Sequence, residues 1–402
     1  MLFDPDRHEA LGDGAWDEGR VREAIRAIAR DTERERLPAG HWPVHPLDDA
    51  GEGQRTGYKS IYLGSAGVLW ALWTLQREGA VQLAIDPAEA IRAVHPAYLA
   101  EPDDGQVLPS YFLGEAGILL VEWRLTGSAE VAGRLWEVVR SNIPNPTNEA
   151  LWAAPGTMLA AWHLWQATGE ARWRELLLEN VEQVWRTWLF DEKAQVHLWT
   201  QDMGGKVVQY LGAGHGFAGN AFALLKGASL LDAERQGALY QRCLETLQAM
   251  AKRDGDAVNW PPGTYTPRPG GPAMLMQWCH GAPGIVTGLA DFPARQSPAM
   301  DALLVGAGQA VWQAGPLAKG HGLCHGTAGN GQAFLALHRR TGDPLWLARA
   351  RRFAMHAMAQ RKRMGREHGQ GRHTLWNGDP GLALYLWQCL HGTAGLPTLD
   401  WI

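Results

Sequence analysis

The sequence predicts an all-α protein, and more specifically an α/α toroid with seven inner and seven outer helices. Three observations lead to this prediction. A G-x-x-G pattern recurs at intervals of 39 to 65 residues, each copy stands directly before an apolar run, and amphipathic segments lie between the copies. Periods of this order are typical of repeat proteins, in which each unit buries its apolar face against the next. We therefore expect one toroid domain over residues 1–402, with an N-terminal outer helix and lead-in at 1–57 and the repeats at 58–400.

The inner helices are predicted from the apolar runs that follow the glycines. The seven copies begin at Gly64, Gly114, Ala153, Gly216, Gly281, Gly326 and Gly378, where Ala153 marks a degenerate third copy. Runs such as VLWALWTL (68–75) and ILLVEWRL (118–125) are apolar on nearly every side, as buried helices are. Glycine at the start of such a helix lets neighbouring backbones approach closely where a ring of helices narrows.

The outer helices are predicted from segments with one charged and one apolar face. They cover residues 17–35, 86–99, 128–142, 171–189, 232–253, 297–314 and 343–363. Two longer connections interrupt the alternation. Residues 191–214 contain VHLW and KVVQYLG around MGG, which indicates a short hairpin, and residues 253–277 are dense in Pro and Gly. Because long connections in compact domains are often functional, we expect both of them near the site.

Composition excludes several classes of protein. With 37 basic and 42 acidic residues the net charge is −5, which argues against a broad nucleic-acid surface. No run approaches the roughly 18 apolar residues of a membrane-spanning helix, and the first residues, MLFDPDRHEA, do not resemble a signal peptide. The 4 cysteines are too few and too scattered for a disulfide framework. We therefore expect a cytoplasmic protein with reduced thiols.

Cysteine and histidine stand at equivalent positions of several repeats. The histidines that directly precede a first glycine are His215, His280 and His325, and two of them follow a cysteine, Cys279 or Cys324. If the toroid closes, these loops meet at one end of the barrel. Two thiolates and an imidazole are a sufficient ligand set for Zn²⁺, and three protein ligands leave a fourth position open, as in catalytic sites. The adjacent Cys324 and His325 can both face a metal because they lie in a loop ahead of a helix.

The remaining cysteines and a second HGTAG motif have structural interpretations. Cys243 and Cys389 lie outside the repeat position and are expected to be small buried hydrophobic residues. The HGTAG at 391–395 shares its letters with the sixth repeat but follows the start of the seventh copy by only 13 residues. We expect it to cap the seventh inner helix, with Gly392 or Gly395 ending that helix.

Three motifs together resemble those of the lanthionine synthetase C-like family. They are WCHGAPG (278–284), GLCHGTAGN (322–330) and the His-Gly of AGHGFAG (213–219), and the resemblance spans about 58 to 400. The two cysteine motifs are highly specific. The forms WCHGAPG and K-G-x-G-LCHG are closer to the stand-alone, eukaryotic-type branch than to the lantibiotic cyclases, which usually have Tyr at the place of His280.

The resemblance implies a zinc enzyme that adds a thiol to dehydroalanine or dehydrobutyrine residues and so forms a thioether, a lanthionine-type bond. It implies that Cys279, Cys324 and His325 are the zinc ligands. In the cyclases the thiol is a cysteine of the same peptide, whereas the stand-alone branch implies glutathione. The expected partners are therefore a peptide or protein that contains a dehydroamino acid and, in the stand-alone case, glutathione.

The resemblance also implies groups for proton transfer. His215 occupies the catalytic histidine position of the family and is the expected general acid. His280 is either a second proton-transfer group or a group that orients a zinc ligand. The cyclases have Asp at the place of Glu149 and Arg at the place of Leu275. Both departures argue against cyclisation more than against zinc binding, and Glu149 remains a candidate catalytic residue.

Basic residues are candidates for binding the two carboxylates of glutathione. Lys319 lies five residues before Cys324 and matches a Lys of the stand-alone branch. An Arg of that branch precedes the seventh repeat, and Arg366 or Arg372 corresponds to it.

Three other functions compete with this one. A zinc- and glutathione-binding protein without turnover, which acts by binding partners, would carry the same residues. A toroid glycosidase would need a pair of carboxylates at the barrel mouth, but only the isolated Glu115 and Asp379 lie at inner-helix starts. A protein prenyltransferase also combines zinc with a toroid, yet its ligands include an Asp and it lacks the paired Cys-His-Gly repeats.

Overall fold

Helices form most of the computed structural model, which describes residues 1–49, 57–265, 274–293 and 297–402. In chain order the described α-helices are α1 (Glu18–Arg34), α2 (Ser65–Arg77), α3 (Pro87–Ala90), α4 (Val94–Ala100), α5 (Glu115–Thr126), α6 (Ala129–Ser141), α7 (Ala154–Thr168), α8 (Ala171–Arg186), α9 (Phe217–Lys226), α10 (Ala233–Met250), α11 (Ala282–Leu289), α12 (Pro298–Ala314), α13 (Thr327–Thr341), α14 (Pro344–His368) and α15 (Asp379–His391). None of these described helices is both long and apolar enough to cross a membrane. Part of the long connection expected near the site, residues 266–273, lies outside the described residues.

The inner ring consists of the seven described helices that begin at the G-x-x-G copies, namely α2, α5, α7, α9, α11, α13 and α15. Each packs against the next one in the chain, and α15 packs against α2, so the ring closes. These helices are buried on nearly every side: in α2, all residues from Ser65 to Leu72 are buried. Burial all round explains why their sequences are apolar without a polar face. The predicted toroid is confirmed.

The outer helices cover this ring. α1 packs on α15, α6 on α5, α8 on α7, α12 on α11 and α14 on α13. Their amphipathic pattern matches this position: in α1, Val21, Ile25 and Ile28 are buried against the ring. The second outer segment is broken into α3 and α4 by a 3₁₀ turn. Pro96 explains the break, because proline is tolerated in the first turn of a helix but not in its interior, and α4 begins at Val94.

The second glycine of each G-x-x-G copy is required by close packing at the helix start. In all seven copies, a Cβ atom built there would fall well inside contact distance of the carbonyl oxygen six residues earlier in the chain. At the first position the third copy has Ala153, whose backbone is extended with a φ of −120°, but in the other six copies a Cβ atom there would lie within 2.3 Å of a backbone atom. After His215 and His280 the first position is glycine for a conformational reason, because Gly216 (φ 115°) and Gly281 (φ 108°) lie where side chains are strained.

Three short antiparallel hairpins lie in connections between the described helices. They pair β1 (Trp188–Asp191) with β2 (Val196–Trp199), β3 (Gln201–Met203) with β4 (Lys206–Val208), and β5 (Lys252–Asp254) with β6 (Ala257–Asn259). The expected pairing of VHLW with KVVQYLG is wrong. VHLW is β2 and pairs with β1, where Trp188 and Trp199 stack with ring centroids 4.2 Å apart. The MGG turn instead joins β3 to β4, and Gly204 (φ 66°) and Gly205 (φ 87°) allow its tight geometry.

The chain that follows α15 fills the lumen of the inner ring. Gly392 ends α15 with a φ of 65°, which confirms the capping role predicted for the second HGTAG motif. We call residues 396–402 the tail. Leu399 of the tail lines an interior cavity of about 10 Å³. Thr398 is fully buried, and its carbonyl oxygen accepts hydrogen bonds from the Tyr111 hydroxyl and, at 3.2 Å, from His163.

Candidate metal centre and catalytic site

Cys279, Cys324 and His325 lie together in loops ahead of α11 and α13. Their ligand atoms are all within 4.8 Å of one another, and both thiols are buried and free of disulfide bonds. The Cys324 Sγ and His325 Nε2 atoms are 3.6 Å apart, which fits a tetrahedral ion with bonds of about 2.3 Å to sulfur and about 2.0 Å to nitrogen. The three side chains could therefore hold a metal ion, and thiolate and imidazole donors suit zinc.

Contacts between repeats hold these ligand loops. The backbone N–H groups of Leu323 and Cys324 donate to the carbonyl of Trp376, at 2.7 and 2.8 Å. The side-chain amide of Gln277 donates to the Cys279 sulfur at 3.1 Å. A hydrogen bond from the Cys324 thiol lowers the pKa of Cys279 well below its usual range, although burial opposes the charge. Burial, together with the same contact, raises the pKa of Cys324, so the metal-free pair favours a thiolate at Cys279 and a thiol at Cys324.

Beside this cluster, His215 and Glu149 form a hydrogen-bonded pair. The His215 Nδ1 atom is 2.9 Å from a carboxylate oxygen of Glu149, whose side chain is 0% exposed. The other oxygen of Glu149 accepts from the backbone N–H of Trp152 at 2.8 Å. Burial lowers the pKa of His215, but the hydrogen bond and the charge of Glu149 outweigh burial and raise it. The pair can therefore hold a protonated imidazole whose Nε2 atom is left for a substrate.

His280 stacks on His215. The ring centroids are 5.5 Å apart with an angle of 23° between the planes, and the Tyr210 ring lies 5.4 Å from His280. Burial lowers the pKa of His280 to about 4, so this ring is neutral at pH 7. Among the described residues its buried Nδ1 atom has no hydrogen-bond partner. Buried polar atoms are normally satisfied, so this nitrogen is an exception among the described residues.

A cavity of about 200 Å³ opens beside the cluster. It is lined by Leu47, Lys319, Gly322, His325, Arg372 and Asn377. Lys319 is exposed, and within the described ranges its amine has no carboxylate partner, whereas Arg372 binds Asp48 through two guanidinium nitrogens. Arg366 lies on the exposed last turn of α14 and is not one of the described residues that line this cavity. The structure thus brings Lys319 and Arg372, but not Arg366, together with His325.

Sequence reasoning missed several residues around the cluster: Arg7, Asp48, Tyr62, Gln277 and Asn377. One of them had a signal, since Asn377 directly precedes Gly378 and so holds the position in its repeat that His325 holds in the sixth. Arg7 had none, because it reaches the side chain of Gln277, at 3.5 Å, from an N-terminal segment outside the repeats.

The two carboxylates at inner-helix starts are both paired with cations. Glu115 contacts His95 at 2.9 Å and Arg134 at 3.1 Å. Asp379 is buried and contacts His321 at 2.8 Å, with an arginine of α14 on its other oxygen. Neither forms the pair of facing carboxyl groups that a glycosidase requires.

The chain is similar to known proteins over most of its length. The family described as "Lanthionine synthetase C-like protein" matches residues 56–396. The chain is 34% identical over 169 residues to the Danio rerio protein "Glutathione S-transferase LANCL1", an alignment that covers 41% of this chain and 38% of that relative. It is 38% identical over 109 residues to "LanC-like protein GCL1" of Arabidopsis thaliana, which covers 26% of this chain and 24% of that relative. The aligned parts thus span less than half of these curated relatives.

A solved structure extends the comparison to the whole fold. The structure of "Nisin cyclase" superposes with a TM-score of 0.62 at 15% sequence identity, and the match covers 92% of this chain and 94% of that chain. At this identity the likeness concerns the fold, and it agrees with the closed helical ring described above.

Proposed function

Because the chain belongs to the lanthionine synthetase C-like family, we propose that it is a zinc-dependent enzyme that adds a thiol to dehydroalanine or dehydrobutyrine residues. One observation carries the proposal: the cluster of two thiols and an imidazole lies against the loop of the His215–Glu149 pair. The backbone N–H of Gly214 donates to the carbonyl of Cys279 at 3.3 Å. A site for a thiolate and a site for a proton therefore adjoin each other.

The cluster would activate the thiol. A zinc ion held by Cys279, Cys324 and His325 would supply a positive charge that favours the thiolate over the thiol, whose pKa is otherwise about 8.5. In the metal-free pair the Cys324 thiol donates to Cys279, which lowers the pKa of Cys279, while burial and the same contact raise the pKa of Cys324, so a bound cation would be needed to hold both as thiolates. Both cysteines are buried, which would limit the access of water to their bonds with the ion.

The histidines would supply the proton that the α-carbon receives. Addition of the thiolate to the β-carbon forms a C–S bond, and the electron pair of the double bond moves to the α-carbon and its carbonyl group. Protonated His215, held by Glu149, would deliver a proton to the α-carbon as the general acid and regain one from solvent. The thiol proton goes to solvent, so the net reaction adds S–H across C=C. Neutral His280, which stacks on His215, would serve as a second proton-transfer group or orient a zinc ligand.

Glutathione is the thiol that the cavity supports best. It carries two carboxylates, and Lys319 exposes an amine to the cavity beside His325. The described residues give that amine no ion pair, so it remains available for a carboxylate. Arg372 is less available, because Asp48 already accepts from its guanidinium. Arg366 remains a predicted glutathione contact, although it does not line this cavity among the described residues. The name of the Danio rerio relative points to the same thiol.

The test uses a dehydrobutyrine peptide that also carries one cysteine, incubated with the zinc-loaded protein in the presence or absence of glutathione. Mass spectrometry after alkylation of free thiols identifies the product. We expect a glutathione adduct that is lost in Cys324→Ala. The matched control is Cys243→Ala, since Cys243 is equally buried but lies on α10, away from the cluster.

Two other results of this test would assign a different function. A peptide cysteine that becomes protected from alkylation, with no adduct, would make the protein a cyclase. A peptide that stays unchanged in every tube would contradict catalysis and favour a zinc- and glutathione-binding protein without turnover.

A further inference from the structure

The imidazole of His325 is the first member of a hydrogen-bonded chain through Asn377, Asp48 and Arg372. The His325 Nδ1 and Asn377 Oδ1 atoms are 3.3 Å apart, and Asn377 donates from Nδ2 to one Asp48 oxygen at 3.1 Å. Arg372 donates from Nε to the other Asp48 oxygen at 2.7 Å and from a second nitrogen to the first. A segment before α2 and the loop before α15 thereby meet behind one candidate metal ligand.

This chain is largely shielded from water. The side chains of Asp48 and Arg372 are 2% and 11% exposed, and Asn377 is 7% exposed. Charged hydrogen bonds in such surroundings are strong, and removal of one member leaves buried partners unsatisfied. Tyr62 adds a contact, because its hydroxyl donates to the same Asn377 oxygen at 3.3 Å. The amide of Asn377 is therefore fixed from both sides.

Donor and acceptor chemistry sets the direction of each bond. A carboxylate only accepts, so Asp48 requires the amide NH₂ of Asn377 to face it. The amide oxygen then faces His325, and this oxygen can only accept a hydrogen bond from Nδ1. Nδ1 must therefore carry the proton of the neutral ring, which leaves the lone pair on Nε2. Nε2 is the nitrogen that lies 3.6 Å from the Cys324 sulfur.

We propose that Asn377 and Asp48 are positioning residues that select the tautomer of His325 able to bind metal through Nε2. Arg372 then serves to hold Asp48 in place. Metal-binding histidines commonly donate their second ring N–H to a fixed acceptor, which orients the ring. The proposal rests on the metal site of the proposed function, but it does not depend on the identity of the thiol.

The experiment measures the zinc affinity of the full-length protein by competition with a chromophoric chelator, without peptide or glutathione. Asn377→Ala removes the acceptor of Nδ1, and we expect zinc binding to weaken about 10- to 100-fold. Asp48→Asn keeps a polar partner but loses the charge that orients the amide, so we expect a weaker effect in the same direction. With Co²⁺ as the probe, the thiolate-to-metal absorption should persist in both variants, because Cys279 and Cys324 are intact.

The matched control is Asn142→Ala. Asn142 is 1% exposed, caps α6 and donates its amide to the carbonyl of Trp152 at 2.9 Å, and it has no hydrogen bond to Cys279, Cys324 or His325 among the described residues. We expect this variant to keep the wild-type zinc affinity even if its unfolding temperature falls. Unchanged affinity in Asn377→Ala and Asp48→Asn, or equal weakening in Asn142→Ala, would overturn the proposal.

The two proposals of this protein can fail separately. If zinc affinity falls in Asn377→Ala while the wild type forms no thioether, the positioning role stands and the catalytic function does not. If the wild type forms a thioether while Asn377→Ala and Asp48→Asn keep full zinc affinity, the catalytic function stands and the positioning role does not.

Discussion

The first three repeats and the last four share a scaffold but differ at one position. The residue directly before the G-x-x-G copy is apolar in the first group and polar in the second: Leu63, Leu113 and Trp152 against His215, His280, His325 and Asn377. Both groups keep the second glycine, where the absent side chain lets the inner helix start against the preceding loop. In each repeat the second glycine serves the packing of the inner helix, whereas the residue before the first glycine is free to be apolar or polar. The four repeats with a polar residue there can therefore carry the candidate site while the fold stays the same.

Two histidine–glutamate pairs show the same division. In the first group, Glu115 contacts both His95 and Arg134, so its charge is shared with a guanidinium. In the second group, His215 is the one cation that the described residues bring to Glu149. The full charge of Glu149 therefore acts on His215, whereas Glu115 ties outer segments to α5.

Glu149→Gln is expected to have the largest effect. Under the proposed function, the rate of glutathione addition should fall between about 10²- and 10⁴-fold, or about 3 to 5 kcal/mol in activation free energy, because the proposed general acid, His215, loses the charge that keeps it protonated. A general acid loses activity as the pH rises through its pKa. Since Glu149 raises the pKa of His215, the falling limb of the pH–rate profile should move to lower pH in this variant. Mass-spectrometric rates over a pH series measure both effects.

Glu115→Gln is the matched control for that change. It alters the same residue type in a histidine pair of the first group, and we expect the wild-type rate and pH profile. Equal losses in the two variants would mean that Glu149 supports the fold and has no special action on His215.

The second glycine should be equally sensitive in both groups. We expect Gly117→Ala and Gly284→Ala to destabilise the protein by about 3 kcal/mol each, because the new methyl group meets a backbone carbonyl that cannot move away. Thermal unfolding followed by circular dichroism measures the effect. Gly237→Ala on α10 is the control, since nothing lies within 4 Å of its added Cβ, and alanine should stabilise that helix by up to about 1 kcal/mol. A mild effect at either buried glycine would contradict the packing argument.

The smallest expected effect concerns the tail. Tyr111→Phe removes the hydroxyl that donates to the Thr398 carbonyl, and we expect a loss of about 1 kcal/mol in the free energy of unfolding. Denaturant unfolding checks this value. Tyr240→Phe on α10 serves for comparison, because the described residues give its hydroxyl no hydrogen bond, and it should leave stability unchanged. Equal stabilities of Tyr111→Phe and Tyr240→Phe would contradict a stabilising role for the Tyr111 hydroxyl.

Features that repeat along the chain were predictable, and contacts between distant segments were not. The glycine pattern predicted the inner ring because the second glycine of every copy packs against a backbone carbonyl at the start of its helix. Cys279 and Cys324 were found because they share one repeat position. Asp48 was missed because it meets Arg372 across 324 residues of sequence, with no local pattern to mark it. The partner of VHLW was mistaken because an equally short strand, β1, lies nearer in the chain.

Occupation of the lumen by the tail restricts how a large substrate can be handled. With Thr398 and Leu399 inside the ring, the tail fills the described part of the lumen, and the cavity of about 10 Å³ that remains beside Leu399 is too small for a polypeptide to pass. Under the proposed function, a substrate would therefore enter and leave by the same mouth, beside His215 and His325. A dehydroamino acid that projects from the surface of a folded protein would meet this mouth in the same way as one in a free peptide.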